Sequence, residues 1–427
     1  VLLVLALWRY GRQGWDSARA VVAWLAATAA LVLIQLVPLP PALWSALPGR
    51  EIIMEGYEAA GMGLPWLPIH LAPWTGWNAL FSLMAPAAAL LFALALDDDG
   101  QIRLVRLILI IAMVSALIGM LQMLGPSPGP LRFYRVTNAD ASVGLFANRN
   151  HQAVFLACTL PLLAAYAAVA KGREQVVQLQ QRLAMLGAAL ILPLILVTGS
   201  RAGFVAAIIG LGLSWWVYRR PEAKGRSYAL TLPQKLQPIM LGAFAVALIG
   251  ITLFSTRATS LQRLIAGDPA EDMRFLALPT ILTAARDFFP FGTGFGSFVP
   301  VFQLYEPDHL LSPNYFNHAH NDYVEWLLTG GVFGVILLLW AAWLLMSALW
   351  QAARQRAASG SRPDQDGRTL ARAAGSVLVL LVLASAGDYP LRVPSLAVLA
   401  AVMVALLVRG TVPGQRQGHN APQPAAT

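Results

Sequence analysis

The sequence predicts an all-α fold, a polytopic transmembrane helical bundle of about 10–12 spans with a large external loop bearing an amphipathic helix. Three observations predict it. Only 12% of the residues are charged against 57% hydrophobic, and mean hydropathy is +0.61, whereas soluble domains carry about 25% charged residues. The apolar residues gather in runs of roughly 17–25, enough for a helix to cross a hydrocarbon core of about 30 Å. Basic residues concentrate in alternate loops, the charge pattern of a chain threaded back and forth through a membrane.

In chain order, apolar length and polar or Pro/Gly boundaries place spans near 20–37, 77–96, 104–124, 151–170, 183–198, 202–218, 238–254, 323–350, 374–390 and 391–408. Val1 to Trp8 read as the end of a further apolar helix. Arg9 and Arg12 follow it, with no small-residue cleavage site, so it is a poor signal peptide. The organisation expected is N-terminal helices over 1–254, a long external loop over 255–322, C-terminal helices over 323–408 and a disordered tail over 409–427. Loop 355–370 and the tail are rich in Ser, Gly, Pro, Gln and Arg and are expected to be mobile. Cys158, the single cysteine, sits in an apolar span and reads as a packing residue.

Loops 9–19, 97–106, 171–182, 219–237 and 351–373 and the tail hold about twenty of the basic residues, which makes their side the cytoplasmic one. The net charge of +9 is therefore a topology signal, not a nucleic-acid footprint. The positive residues left outside are all arginine: 50, 132, 135, 149, 201, 257, 263, 274, 286 and 392. A guanidinium presents a planar fork that suits phosphate oxygens, although any one of these could instead pair with an acid or a headgroup. Outside segments 38–76, 125–150 and 255–322 are long enough to build a structure. The last contains an amphipathic helix over about 273–289, whose apolar face lies on the membrane or the bundle, then the turn-rich Pro290-Phe-Gly-Thr-Gly294-Phe-Gly296.

The densest functional group is Glu306, Asp308, His309, Asn317, His318, His320, Asn321, Asp322 and Glu325, at the outer mouth of a span. A helix starting near Asn317 would put His318 with Asp322, and Asn321 with Glu325, on shared faces. His-x-His suits metal ligation on a strand better than on a helix, and no further ligand pair has good spacing, so no metal is expected. General base and silent cap both remain open for the imidazoles. Thr198-Gly-Ser200-Arg201-Ala-Gly203 joins two spans with almost no loop and holds Arg201 at the outer membrane face. There a charge serves either a substrate or an internal acid such as Asp322 or Glu325. Phe146-Ala-Asn148-Arg149-Asn150-His151 opens another span from that side, where Asn148 or Asn150 can cap the helix and its N-terminus favours an anion. Gly294-Phe-Gly296-Ser297 has a glycine-flanked serine, but turn chemistry explains it without a nucleophile.

Four of these segments together resemble the bacterial O-antigen ligase and O-antigen polymerase family, which includes protein O-oligosaccharyltransferases. His320, Asn321, Gly331 and Gly334 meet its His-[Asn/Ser/Gln]-x9-Gly-x-x-[Gly/Thr/Tyr] pattern, and Pro290 to Gly296 resembles its Pro-hydrophobic-Gly-x-Gly turn. Thr198 to Arg201 and Phe146 to Ala153 resemble two further segments, in order. The resemblance implies an inner-membrane, metal-independent inverting glycosyltransferase without a cofactor. It would move a glycan from an undecaprenyl diphosphate carrier to a hydroxyl at the periplasmic face. It implies His320 as activator of that hydroxyl and Arg201 and Arg274 as holders of the diphosphate, with Asn148, Arg149, Asn150, His318 and Asn321 lining the same pocket. The extra His318 departs from the pattern and leaves open which imidazole acts. Lipid A core as acceptor would make a ligase, the leading expectation, and a growing polysaccharide would make a polymerase of O-antigen or exopolysaccharide. A transporter or flippase, the reading from another class, requires polar residues deep inside several spans, whereas here they gather at one face. Membrane lipids are the remaining partner, and no nucleic acid is expected.

Overall fold

In the computed structural model, residues 18–125, 129–218, 269–311, 315–354 and 362–411 are described, and within them nine helices are long and apolar enough to cross a membrane. In chain order the helices are α1 (Arg19–Leu36), α2 (Pro41–Trp44), α3 (Glu51–Ala59), α4 (Pro73–Ser82), α5 (Met84–Leu94), α6 (Asp98–Leu124) and α7 (Arg149–Ala168). They continue as α8 (Glu174–Val197), α9 (Arg201–Tyr218), α10 (Pro269–Asp287), α11 (Phe298–Tyr305), α12 (Asp322–Arg354), α13 (Arg362–Ala384) and α14 (Pro394–Thr411). Helices α4 and α5 form one span together. Nine of the ten expected spans are helices, and the tenth, 238–254, lies outside the described residues, as do Arg257 and Arg263.

Helix α7 is the axis of the bundle. Nearly all of it is buried, on every face, against α6, α8, α9 and α13. Lipid tails are as apolar as the helices, so close packing rather than hydrophobicity holds such a bundle together, and small residues make the closest approaches. A Cβ on Gly203 of α9 would overlap that of Ala153, and one on Gly210 would sit 3.1 Å from the Ala157 carbonyl oxygen. The polar first turn of α7, Asn150, His151 and Gln152, is carried into the interior with the rest.

At one end of the bundle the basic loops close on acids. Arg409 binds the carbonyls of Leu94 and Leu96 and lies 3.8 Å from Asp98, while Lys171 pairs with Asp366 at 2.6 Å. Helical structure extends into both segments expected to be mobile. Helix α13 is helical from Arg362, with Asp366 anchored on it, and α14 runs to Thr411, past the expected start of the tail at 409. Residues 355–361 and 412–427 lie outside the described residues.

The opposite end carries the external segments. Helix α10 buries Ala277, Ile281, Ala284 and Ala285 against Phe288, Phe298, Phe302, Leu310 and Leu328, so its apolar face lies on protein. Helix α12 is broken at Gly331 (φ 57°, ψ −149°), a backbone region open essentially to glycine alone. A Cβ there would overlap the Pro290 carbonyl oxygen, because the turn after α10 docks into the break. Its N–H groups satisfy the carbonyls that the break releases: Thr293 binds Leu328 (3.0 Å), Gly294 binds Thr329 (2.9 Å), and Val332 binds Pro290 in return (2.9 Å). Gln35 of α1 adds Nε2–H to the Thr329 carbonyl and accepts from the Phe295 N–H. The two glycine patterns read in the sequence are thus the two halves of one joint.

That joint is locked from segment 38–76, which is pinned by a two-residue antiparallel pair, Pro38–Leu39 with Leu67–Pro68. His70 accepts from the Ala72 N–H at Nδ1 and donates Nε2–H to the Phe295 carbonyl, so one neutral tautomer is fixed, and burial holds its pKa below the ordinary value. Arg50 donates to the Ile69 carbonyl (2.6 Å) beneath the Phe288 ring. Arg132 binds the Asn138 and Ala141 carbonyls at 3.0 Å each. Among the ten outside arginines, these two hold loops together.

Candidate functional site

Two short connecting segments and two helices meet around a carboxylate. The α13–α14 connection, 385–393, supplies Asp388 and Tyr389, the first turn of α7 supplies Asn150 and His151, the approach to α12 supplies His318 and His320, and α10 supplies Arg274. Asp388 is buried, and everything facing it is a donor or a cation. His320 Nδ1 and the Tyr389 N–H lie 3.1 and 3.0 Å from its Oδ1, and Asn150 Nδ2 donates to Oδ2 at 3.1 Å. Arg274 Nη1 is 3.9 Å from Oδ2 and also reaches the Gly387 carbonyl, and His151 Nε2 stands 3.8 Å from Oδ1, beyond hydrogen-bonding range. Burial alone would push the Asp388 carboxyl up, but the imidazoles of His151 and His320 and the Arg274 charge override it and hold it well below the usual carboxylate range.

His320 has the one positive φ among described non-glycine residues, 49°, which turns its ring back toward Asp388 just before the helix begins. Burial holds its imidazole below the ordinary pKa, and the Arg274 charge acts in the same direction against the raising effect of Asp388. The ring is therefore neutral at pH 7, with its proton on Nδ1 directed at the carboxylate and a lone pair on Nε2. A buried carboxylate on Nδ1 selects this tautomer and stabilises the imidazolium that forms when Nε2 takes a proton, the arrangement of a general base.

A second layer backs the first. His318 Nδ1 bonds Glu325 at 3.1 Å, Glu325 also accepts from the Ala319 N–H, and Arg392 bridges Glu325 (3.1 Å) and Asp322 (3.1 Å). Ser385 donates to the other oxygen of Asp322. Between the layers stands Tyr389, with the rings of His151, His318 and His320 at 4.9, 4.3 and 4.9 Å from its own, and its hydroxyl accepts from Asn317 at 3.0 Å. Burial raises the Tyr389 pKa, so it stays a neutral phenol.

Several expectations are corrected here. Helix α12 starts at Asp322, not near Asn317, because Asn321 caps it, accepting from the Tyr323 and Val324 N–H groups. His318 consequently pairs with Glu325 rather than Asp322, and Asn321 is a cap whose Nδ2 also holds the Ala386 carbonyl. Asn148 caps α7, accepting from the Asn150 N–H at 2.8 Å, whereas the Asn150 side chain turns to Asp388. The acids weighed as partners for Arg201 are both held by Arg392. Arg201 opens α9 two residues after Gly199 (φ 65°), and the Gly203–Ala153 contact seats this helix start against the turn bearing Asn150 and His151. Arg149 is buried in that same turn, its N–H donating to Asn138. His320, Arg274, Asn150 and His318 are thus in one constellation; Asn148 and Arg149 belong to the α7 turn that bears Asn150, and Arg201 opens the helix packed on that turn. Asp388, Tyr389 and His151 are the members the sequence reading missed, and Arg392 was counted only as an outside charge. Among the described residues, no group of three or more His, Cys, Asp and Glu has a metal-holding arrangement.

Residues 186–339 match the family described as O-antigen ligase. That segment, about a third of the chain, carries the O-antigen ligase family domain. Its function is therefore of the O-antigen ligase or polymerase type, in a multi-pass membrane protein. No curated protein matches the chain. The family segment begins inside α8 and ends inside α12, so it includes Arg201, Arg274, His318, His320 and Asn321. Asp388 and the first turn of α7 lie outside it, and the fold brings them to it.

Proposed function

We propose that this O-antigen ligase family protein transfers a glycan from an undecaprenyl diphosphate carrier to an acceptor hydroxyl at the periplasmic face of the inner membrane, with lipid A core as the acceptor. The observation that supports it best is the His320–Asp388 pair at 3.1 Å with Arg274 on the same carboxylate. Nε2 of His320 takes the acceptor's proton as the acceptor oxygen attacks the anomeric carbon. The bond from that carbon to the diphosphate oxygen breaks, its electron pair leaves with the lipid diphosphate, and the sugar centre inverts. Charge builds on the departing diphosphate, and fixed guanidinium groups, Arg274 and Arg201 with Arg149 beside them, supply the stabilisation without a bound metal. Asn148, Asn150, His318 and Asn321 shape the pocket, through contacts to Tyr389, Asp388, Glu325 and the Ala386 carbonyl.

Gene deletion followed by electrophoresis of lipopolysaccharide and secreted polysaccharide tests the acceptor. Uncapped core with accumulated lipid-linked polymer is the expected result. Core bearing a single repeat, or lost exopolysaccharide, would make the protein a polymerase, and no change in either would set aside both.

A further inference from the structure

His151 has no part in the chemistry above, yet it is the second imidazole on the same carboxylate. It lies in the first turn of α7, is buried to 95%, and stands edge-on to Tyr389 with ring centroids 4.9 Å apart. Its Nε2 is buried without a hydrogen-bond partner. Unpaired nitrogens at such depth are rare in folded proteins, because the lost hydration is not replaced. Its nearest acid is Asp388 Oδ1, at 3.8 Å, under an ångström short of a hydrogen bond, and this is the oxygen on which His320 Nδ1 sits. The groups facing Asp388 are His320 from the approach to α12, His151 and Asn150 from α7, Arg274 from α10 and the neighbouring Tyr389. His151 and Arg274 both stand just outside bonding range of this carboxylate, and of the two only His151 faces the oxygen on which His320 Nδ1 sits.

We infer that His151 is a positioning residue that competes with His320 for Asp388 Oδ1 and so sets how strongly Asp388 draws the proton onto His320. This inference deepens the general-base reading of His320 and rests on it for its effect on rate, but its physical content is testable without substrate. With Nε2–H directed at Asp388, part of the carboxylate's charge is already engaged, and the His320 imidazolium gains less from it. Loss of His151 leaves Asp388 to His320, which then binds its proton more tightly. A packing residue would produce no such shift.

The test uses the full-length protein with isotope-labelled histidine in detergent or nanodiscs, following ring resonances through a pH titration, with the His320 signal assigned from a His320→Gln sample. His151→Leu is expected to raise the His320 midpoint by about half a unit or more, and His151→Gln, which restores an N–H near the same place, to return it most of the way. In the unsubstituted protein the His151 resonance should show an inflection at the His320 midpoint, which keeps the test decisive where a variant does not fold. An unmoved midpoint in His151→Leu, or no shared inflection, would overturn the inference. Transfer assays run in parallel separate the two readings. The acid limb of the rate should move with the midpoint, so at one unit below the original midpoint His151→Leu should be about threefold or more slower than wild type, with near-equal rates at high pH. Midpoints that shift as expected while His320→Ala still transfers glycan would leave the His151 coupling standing and remove the catalytic reading.

Discussion

Replacing Asp388 by Asn removes one charge and changes almost no volume, and the surroundings make its effect calculable. Oδ1 faces His320 Nδ1 and the Tyr389 N–H, and Oδ2 faces Asn150 Nδ2 and Arg274, so donors stand on both sides. An amide has one oxygen and one NH2. With its oxygen toward His320, it sets NH2 against the Asn150 amide and Arg274. With the orientation reversed, NH2 faces His320 Nδ1, which must then become the acceptor, and the ring proton moves to Nε2, where no base remains. Either orientation leaves a buried donor unpaired, a cost of about 1–3 kcal/mol, and both remove the charge that stabilises the imidazolium. The expected result is a folded protein with slightly lowered thermal stability and glycan transfer reduced by roughly 10²–10⁴-fold, the range of a lost general base. The assay is a single-turnover reaction with purified protein in proteoliposomes, matched for folded fraction by size exclusion. Transfer by Asp388→Asn within about threefold of wild type would refute the assignment of His320 as a base oriented by this carboxylate.

Other outcomes follow from the same geometry. Transfer should decline with acidification on the acid side of the ordinary imidazole value, because His320, with its pKa held under that value by burial, then acquires the proton that disables Nε2; an acid limb centred at or above the ordinary imidazole value would contradict this. Stability should fall over the same acid range, since the unfolded chain protonates this imidazole first, and again below the ordinary carboxylate range, where Asp388 resists a proton that the unfolded chain takes; acid melting curves read both. Gly331→Ala forces a side chain into the Pro290 carbonyl at a glycine-only backbone angle and should cost about 3 kcal/mol or more, seen as a lowered melting temperature. Arg201→Lys keeps the charge and loses the fork, so transfer should drop at least tenfold in the proteoliposome assay with little change in melting temperature. Chelation of divalent ions with EDTA should leave the transfer rate unchanged, and a loss reversed by added magnesium would contradict the guanidinium account.

Much of the fold was legible because apolar runs in a membrane protein have one available structure. The tenth predicted span, 238–254, lies outside the described residues. The polar ends were harder. Loop 355–370 reads as too polar to order, yet Asp366 finds Lys171 across the bundle, a contact between residues far apart in sequence. His318, His320, Arg274 and Asn150 were visible as unusual residue types at span mouths. Asp388 was not, because the apolar run placed 374–390 in one continuous span and swallowed it. A signal existed: Asp388 is the one acid between residues 374 and 411, and it sits in Ser385-Ala-Gly-Asp-Tyr-Pro390, a segment with turn chemistry. The pairing of His318 with Asp322 failed for a related reason. Asn321 is a strong N-cap, and it starts the helix five residues later than charge spacing suggested.

The most direct measurement is glycan transfer by His320→Ala beside His318→Ala, in proteoliposomes supplied with lipid-diphosphate-linked glycan and lipid A core. His320→Ala should insert, fold and form no product, while His318→Ala, which removes the ring on Glu325 and leaves the pair on Asp388 in place, should retain measurable transfer. Product from His320→Ala at the wild-type rate would contradict the account.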